Sequence, residues 1–160
     1  LNCCCDLLVR EDCQITMIDF MASEADIAAV LQSELSNLIS DATYPTEGMP
    51  HPRVYGTFPR LIRHFVGEKG VLTLEQAVRK MTALPARALR LRRKGTVVVG
   101  MDADLCVFDP AALRENGSYQ DPCRMASGLD AVLVAGQPVL LHDTLTGACA
   151  GTVLRRETVC

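Results

Sequence analysis

Apolar residues follow a helical period over the first part of this chain and a strand period over the last part, with the change near Gly95. Before it, Ile27, Val30, Leu31 and Leu35 recur at helical spacing behind Ser23, a residue type suited to an N-cap. Glu24 and Asp26 put acids in the first turn, where the helix dipole favours them. Phe58, Leu61, Ile62, Phe65 and Val66 make a second stripe, with Pro59 near its first turn and Gly67 and Gly70 as its end. Thr73 and Gln76 form a capping-box pair ahead of a third helix, whose apolar face is Leu74, Ala77, Val78, Met81 and Leu84. Pro85 bends or restarts that helix, and a further short one is expected over 86–91.

Several shorter apolar runs read as extended chain. Leu7-Leu8-Val9 and residues 15–20 are two of them. Asn37-Leu38-Ile39-Ser40 reads as a short buried strand that follows a helix and stops at Asp41. That step belongs to a β/α barrel or a doubly wound sheet, where chemistry collects at the C-terminal ends of strands. Residues 42–60 read as a loop, punctuated by Pro45, Pro50, Pro52, Pro59, Gly48 and Gly56. A loop this long in a compact domain is usually functional, and it carries His51, Arg53, Tyr55 and Arg60. Past Gly95, strands are expected over 96–99, 105–108, 131–134 and 139–141, with 151–154 as a last edge strand. Gly136-Gln137-Pro138 joins two of them as a hairpin turn. The expected division is barrel helices over 1–94 and part of a small β-domain over 95–160.

Composition narrows the class. A chain of 160 residues that is 49% hydrophobic supplies one domain, or two pieces of a larger one, and is too apolar for disorder. A net charge of -3 without a basic patch argues against nucleic acid or an anionic membrane as partner. The Arg-rich stretch over 87–94 reads as a solvated helix end and loop. There is neither an apolar run near the ~20 residues of a membrane span nor a signal-peptide pattern. A first residue Leu1, with no targeting segment, fits a fragment, a processed product or a trimmed chain. The eight cysteines include no C-x-x-C pair, so they read as reduced, small hydrophobic residues of a cytoplasmic protein. A cysteine-based metal-binding protein is the competing reading.

The residues that suggest chemistry form an ordered series. Asp41 closes an apolar run. His51-Pro52-Arg53 and Tyr55-Gly56-Thr57-Phe58-Pro59-Arg60 follow, then Met81-Thr82-Ala83-Leu84-Pro85-Ala86, then Ala103-Asp104-Leu105. This series resembles the C-terminal region of the N-acyl-D-amino-acid deacylases (D-aminoacylases) of the amidohydrolase superfamily, from about Cys5 to Arg156. The stretch from Pro50 to Arg60 is the most specific part; the later segments occur across the superfamily.

The resemblance implies an α/β fold: the C-terminal part of a metal-dependent (β/α)8 barrel, with its last strand and flanking helices, plus part of a small β-sandwich domain. It implies Asp41 as the catalytic proton shuttle between a zinc-bound water and the leaving amine. Arg53 is the candidate for the free α-carboxylate of the substrate, since guanidinium binds carboxylate in a fork. His51 and Tyr55 complete the candidate substrate-binding set, while Arg60, Asp104 and Asp109 read as turn or ion-pair residues. The family has Gly-Ser before the aspartate, where this chain has Ile39-Ser40. It also implies a His-x-His pair and two later histidines as zinc ligands. The first histidine here is His51, after Asp41, and neither His64 nor His142 pairs into a ligand set. The chain is therefore expected to bind no zinc and to be inactive alone, its partners being a small N-acyl-D-amino acid and the missing N-terminal barrel portion. Isolated, it is expected to self-associate or be unstable. The alternatives are a hydantoinase- or dihydroorotase-like cyclic-amide hydrolase, or a non-catalytic binding module or partner subunit derived from such an enzyme.

Overall fold

The computed structural model describes residues 2–15, 17–43 and 49–155. Helices come first: α1 (Asn2–Arg10), α2 (Glu24–Gln32), α3 (Arg53–Arg60), a π-helix (Leu61–Glu68), α4 (Leu74–Met81) and α5 (Ala83–Ala88). Four strands follow, β1 (Leu105–Phe108), β2 (Leu129–Val134), β3 (Gln137–Leu141) and β4 (Thr144–Leu145), as one antiparallel sheet in the order β1-β2-β3-β4.

Both expected caps form. Ser23 accepts the Asp26 N–H while Asp26 accepts the Ser23 N–H, and Thr73 and Gln76 do the same for α4. The turn between β2 and β3 is Ala135-Gly136, with φ of 51° and 80°. Positive φ at both central residues is what a two-residue hairpin needs to match strand twist, so Gln137 and Pro138 belong to the strand.

Other elements differ from the sequence reading. Leu7-Leu8-Val9 lies in α1, because a three-residue apolar run fits a helix as well as a strand. Leu35 falls beyond the end of α2 at Gln32. Residues 37–40 form no strand; the Leu38 N–H donates to the Lys80 carbonyl of α4, and a strand needs a neighbouring strand to become one. Val97, Val98 and Val99 are exposed and form no strand, nor do 151–154. β-branched residues favour a sheet only where one accepts them. Described cysteines 3, 4, 5, 13, 106, 123 and 149 are free and exposed, so they do not serve as buried hydrophobes. Tyr44 to Gly48 of the expected loop, and Thr16 of the run over 15–20, lie outside the described residues.

The largest correction concerns residues 53–60, which are helical rather than loop. Pro52 holds φ at -59° and its carbonyl accepts the Gly56 N–H at 3.0 Å, starting the helix. Pro59 lies inside α3. It has no N–H to donate to the carbonyl four residues back, and the helix widens just after it. The Lys69 N–H reaches back five residues to His64 at 2.9 Å. Leu31, Leu61, Phe65, Leu72 and Ala77 form the buried core where α2, the π-helix and α4 meet. α5 starts at Ala83 rather than Ala86, with Pro85 in its first turn, where a missing N–H costs nothing. No helix of the described residues is long and apolar enough to cross a membrane.

Candidate functional site

Asp41 sits at the end of the segment that leaves α2, and the fold fixes that segment at two points. Leu38 is tied to α4 through the Lys80 carbonyl. The Lys80 ammonium, on a side chain only 4% exposed, donates to the Ser33 carbonyl at 2.6 Å and to the Ser36 carbonyl and hydroxyl at 3.0 Å each. One lysine therefore holds both ends of the turn that leads to Asp41. Asp41 itself has φ of 48°, in the left-handed region that Asp tolerates better than most residues. That conformation is held against its own cost, as at many functional sites.

The structure brings Arg53 to Asp41. Its Nη1 lies 3.0 Å from Asp41 Oδ2. Arg53 is the first residue of α3, and its Nε is buried without a hydrogen-bond partner among the described residues. The guanidinium thus meets the carboxylate through one terminal nitrogen, with its inner nitrogen buried and unpaired. Asp41 is 72% exposed in its side chain within this chain, and Ile39 is also exposed.

His51 lies beside this pair in sequence but turns to other partners. Its Nδ1 accepts the Arg53 backbone N–H at 3.0 Å, and its Nε2 is 3.4 Å from the Tyr119 hydroxyl. Burial, and then the charge of Arg53, push the His51 pKa below the ordinary histidine value. Tyr55 is two residues from Arg53, about 200° round the helix. It lines a large apolar groove of about 1130 Å³ with Phe58, Ile62, Val78, Met81 and Leu113, between the helices and the sheet.

The other polar residues hold the frame. Arg60 pairs with Glu115 at 3.1 Å and with Glu24 at 3.7 Å. His64 stands between Glu68 (2.7 Å) and Glu24 (2.9 Å), and its hydrogen bonds hold both carboxyls below the usual carboxylate range. Asp104 accepts from Lys94 and from the Ala135 N–H of the hairpin turn, and Lys94 also pairs with Asp102. Asp109 accepts the Ala111 N–H in the turn after β1. Lys80, Glu115 and Tyr119 carried no local signal in sequence, because their partners are 40 or more residues away. Among the described residues no three His, Cys, Asp or Glu side chains converge as a metal site.

Comparison with known proteins matches residues 27–140 to the amidohydrolase family. A D-aminoacylase of Alcaligenes xylosoxydans xylosoxydans is 40% identical over 139 residues, which is 87% of this chain and 28% of that protein. The crystal structure of a D-aminoacylase superposes with a TM-score of 0.81 at 39% identity, covering 86% of this chain and 29% of its own. The N-acyl-D-glutamate deacylase of Bordetella bronchiseptica, solved with zinc and a phosphonate that mimics the tetrahedral intermediate, gives 0.71 at 36% identity, over 75% of this chain and 25% of its own. The chain thus spans less than a third of the length of these relatives.

Proposed function

The chain belongs to the amidohydrolase family, and on that footing we propose that it is the C-terminal part of an enzyme that hydrolyses the linear amide of N-acyl-D-amino acids to a D-amino acid and a carboxylate. The observation that carries this reading is the Asp41–Arg53 pair at 3.0 Å, with Asp41 in a left-handed conformation. The relatives named D-aminoacylase and N-acyl-D-glutamate deacylase support the substrate class.

In this reading Asp41 ends the last strand of a (β/α)8 barrel whose other strands come from outside these residues, and the sheet β1-β2-β3-β4 is part of a small β-sandwich. Residues 37–40, which form no strand within this chain, would gain their neighbour from the residues outside it. Asp41 accepts a proton from the attacking water and delivers it to the leaving amine. Arg53 keeps the Asp41 carboxylate oriented through Nη1 and presents its terminal donors to the α-carboxylate of the substrate, where an arginine gives a directional pair of hydrogen bonds that a lysine does not. The zinc that the relative's structure contains would be held by residues outside this chain. The isolated chain is accordingly proposed to be inactive.

The test is substitution of Arg53 in the full-length protein. R53K should raise KM for N-acetyl-D-amino acids by roughly a hundredfold, the loss of a bidentate charge-assisted contact. It should leave KM for the corresponding α-carboxamides, which offer no carboxylate, nearly unaffected, while the loss of Asp41 orientation lowers kcat on both. An equal rise in KM on both substrates would remove the carboxylate role from Arg53.

A further inference from the structure

The geometry points to a strap over 115–119, between β1 and β2, that positions Arg53 by holding His51. The consequence for catalysis rests on the function proposed above; the geometry does not.

Alternate residues of the strap meet α3 in order from its last residue back to the segment before its start. Glu115 accepts from Arg60 at 3.1 Å, and a Cβ on Gly56 would come within 3.3 Å of the Glu115 Cβ. At Gly117 a Cβ would lie 3.7 Å from that of Pro52 and 3.0 Å from the Pro122 carbonyl oxygen. Tyr119 meets His51 edge-on, with ring centroids 5.2 Å apart and planes at 85°, and packs on Phe20 at 4.9 Å from its other side. The strap ends in a turn, where the Ser118 N–H donates to the Asp121 carbonyl and the Asp121 N–H to the Ser118 hydroxyl, so Tyr119 is carried on that turn. The small-residue positions Gly56 and Gly117 let two backbones approach closely, and the contact ends on the imidazole.

That imidazole has its proton fixed by its neighbours. Nδ1 accepts the Arg53 N–H, so in the neutral ring the proton sits on Nε2, the nitrogen turned to the Tyr119 oxygen. The desolvation that lowers the His51 pKa keeps the ring in this form. The Arg53 N–H is one of the first-turn donors that no helical carbonyl satisfies. Its capture by His51 sets where α3 begins and therefore where the Arg53 guanidinium stands relative to Asp41. His51 and Tyr119 are positioning residues in this scheme, acting on the substrate only through Arg53. Misplacement of a binding group by about 1 Å is enough to cost orders of magnitude in rate.

The experiment uses the full-length protein that carries this chain. With 15N-labelled histidine, and H51N to assign the signal, His51 is expected in the Nε2–H form, staying neutral below the ordinary histidine range. An Nδ1–H tautomer, or ordinary titration, overturns the inference. In kinetics, H51A should raise KM for N-acetyl-D-amino acids by about tenfold or more with a smaller change in kcat. H51N, whose amide oxygen can accept the Arg53 N–H, should restore KM, and Y119A should shift it in the same direction as H51A. An H51N variant as impaired as H51A, or a Y119A variant with unaltered KM, overturns it. If the wild-type protein turns over no N-acyl-D-amino acid, the proposed function fails on its own. The tautomer, and its loss in Y119A, still decide whether the strap holds His51.

Discussion

Lys80 is the most informative single substitution for the fold that carries Asp41. Its ammonium is nearly inaccessible and donates to two carbonyls and a hydroxyl in the turn 33–36. In K80M the stem is replaced at similar volume, so packing changes little and the loss is that of the donors. Hydrogen bonds from a charged group contribute about 1.5–3 kcal/mol each, and a buried oxygen left unpaired costs about 1–3 kcal/mol. Removing the ammonium also removes its own desolvation cost, which offsets part of this. The net local loss is about 3 kcal/mol, or roughly a hundredfold in the local opening equilibrium. Hydrogen exchange resolved along the sequence measures it. The amides of 33–38, including Leu38 bonded to the Lys80 carbonyl, should exchange roughly a hundredfold faster, while those of the β2–β3 hairpin stay unchanged. Acceleration below about threefold would refute the clamp. Uniform acceleration along the chain would show that Lys80 supports global folding rather than this turn.

Further outcomes follow from the same contacts. Glu24 and Glu68 have pKa values lowered by hydrogen bonds from His64, so their contribution is present above the ordinary carboxylate range and is withdrawn as pH falls through their folded values. H64Q should therefore flatten the dependence of stability on pH between about pH 5 and 3, read by denaturant titration at each pH; an unchanged acid limb would contradict the coupling. Gly128 has φ of 91°, and a Cβ there would strike the Ala112 carbonyl and lie 2.8 Å from the Leu113 Cα, whereas Gly147 (φ 81°) faces open space. G128A should cost about 3 kcal/mol or more and G147A only about 1 kcal/mol in urea unfolding, and equal costs would show that the Ala112 contact yields.

Local signals in the sequence located those elements whose cause is local. The capping boxes at Ser23 and Thr73 each satisfy two backbone donors with residues three apart, and both formed. The β2–β3 hairpin was legible from Gly136 between two apolar runs. The start of α3 was not: Gly56 and Pro59 are helix-unfavourable, and the helix forms there against local propensity, with Glu115 docked on the Gly56 face and Pro52 fixing its first turn. Val97, Val98 and Val99 carry strand propensity but lie on no strand, which is a property of what stands beside them rather than of the residues. Of the candidate site, Asp41 and Arg53 were nameable from the resemblance, and the structure places them in contact. Lys80 and Tyr119, which hold the two halves of that pair, act across 44 and 68 residues and leave no pattern in a single sequence.

The most direct test of the central claim is the D41N variant of the full-length protein, measured for hydrolysis of N-acetyl-D-amino acids together with its bound metal. Asn keeps the size and the Arg53 neighbour but cannot take up a proton, so kcat should fall by about 10³-fold or more while metal content and KM stay close to wild type. A D41N enzyme with kcat within about tenfold of wild type would contradict the assignment of Asp41 as the proton-transfer group.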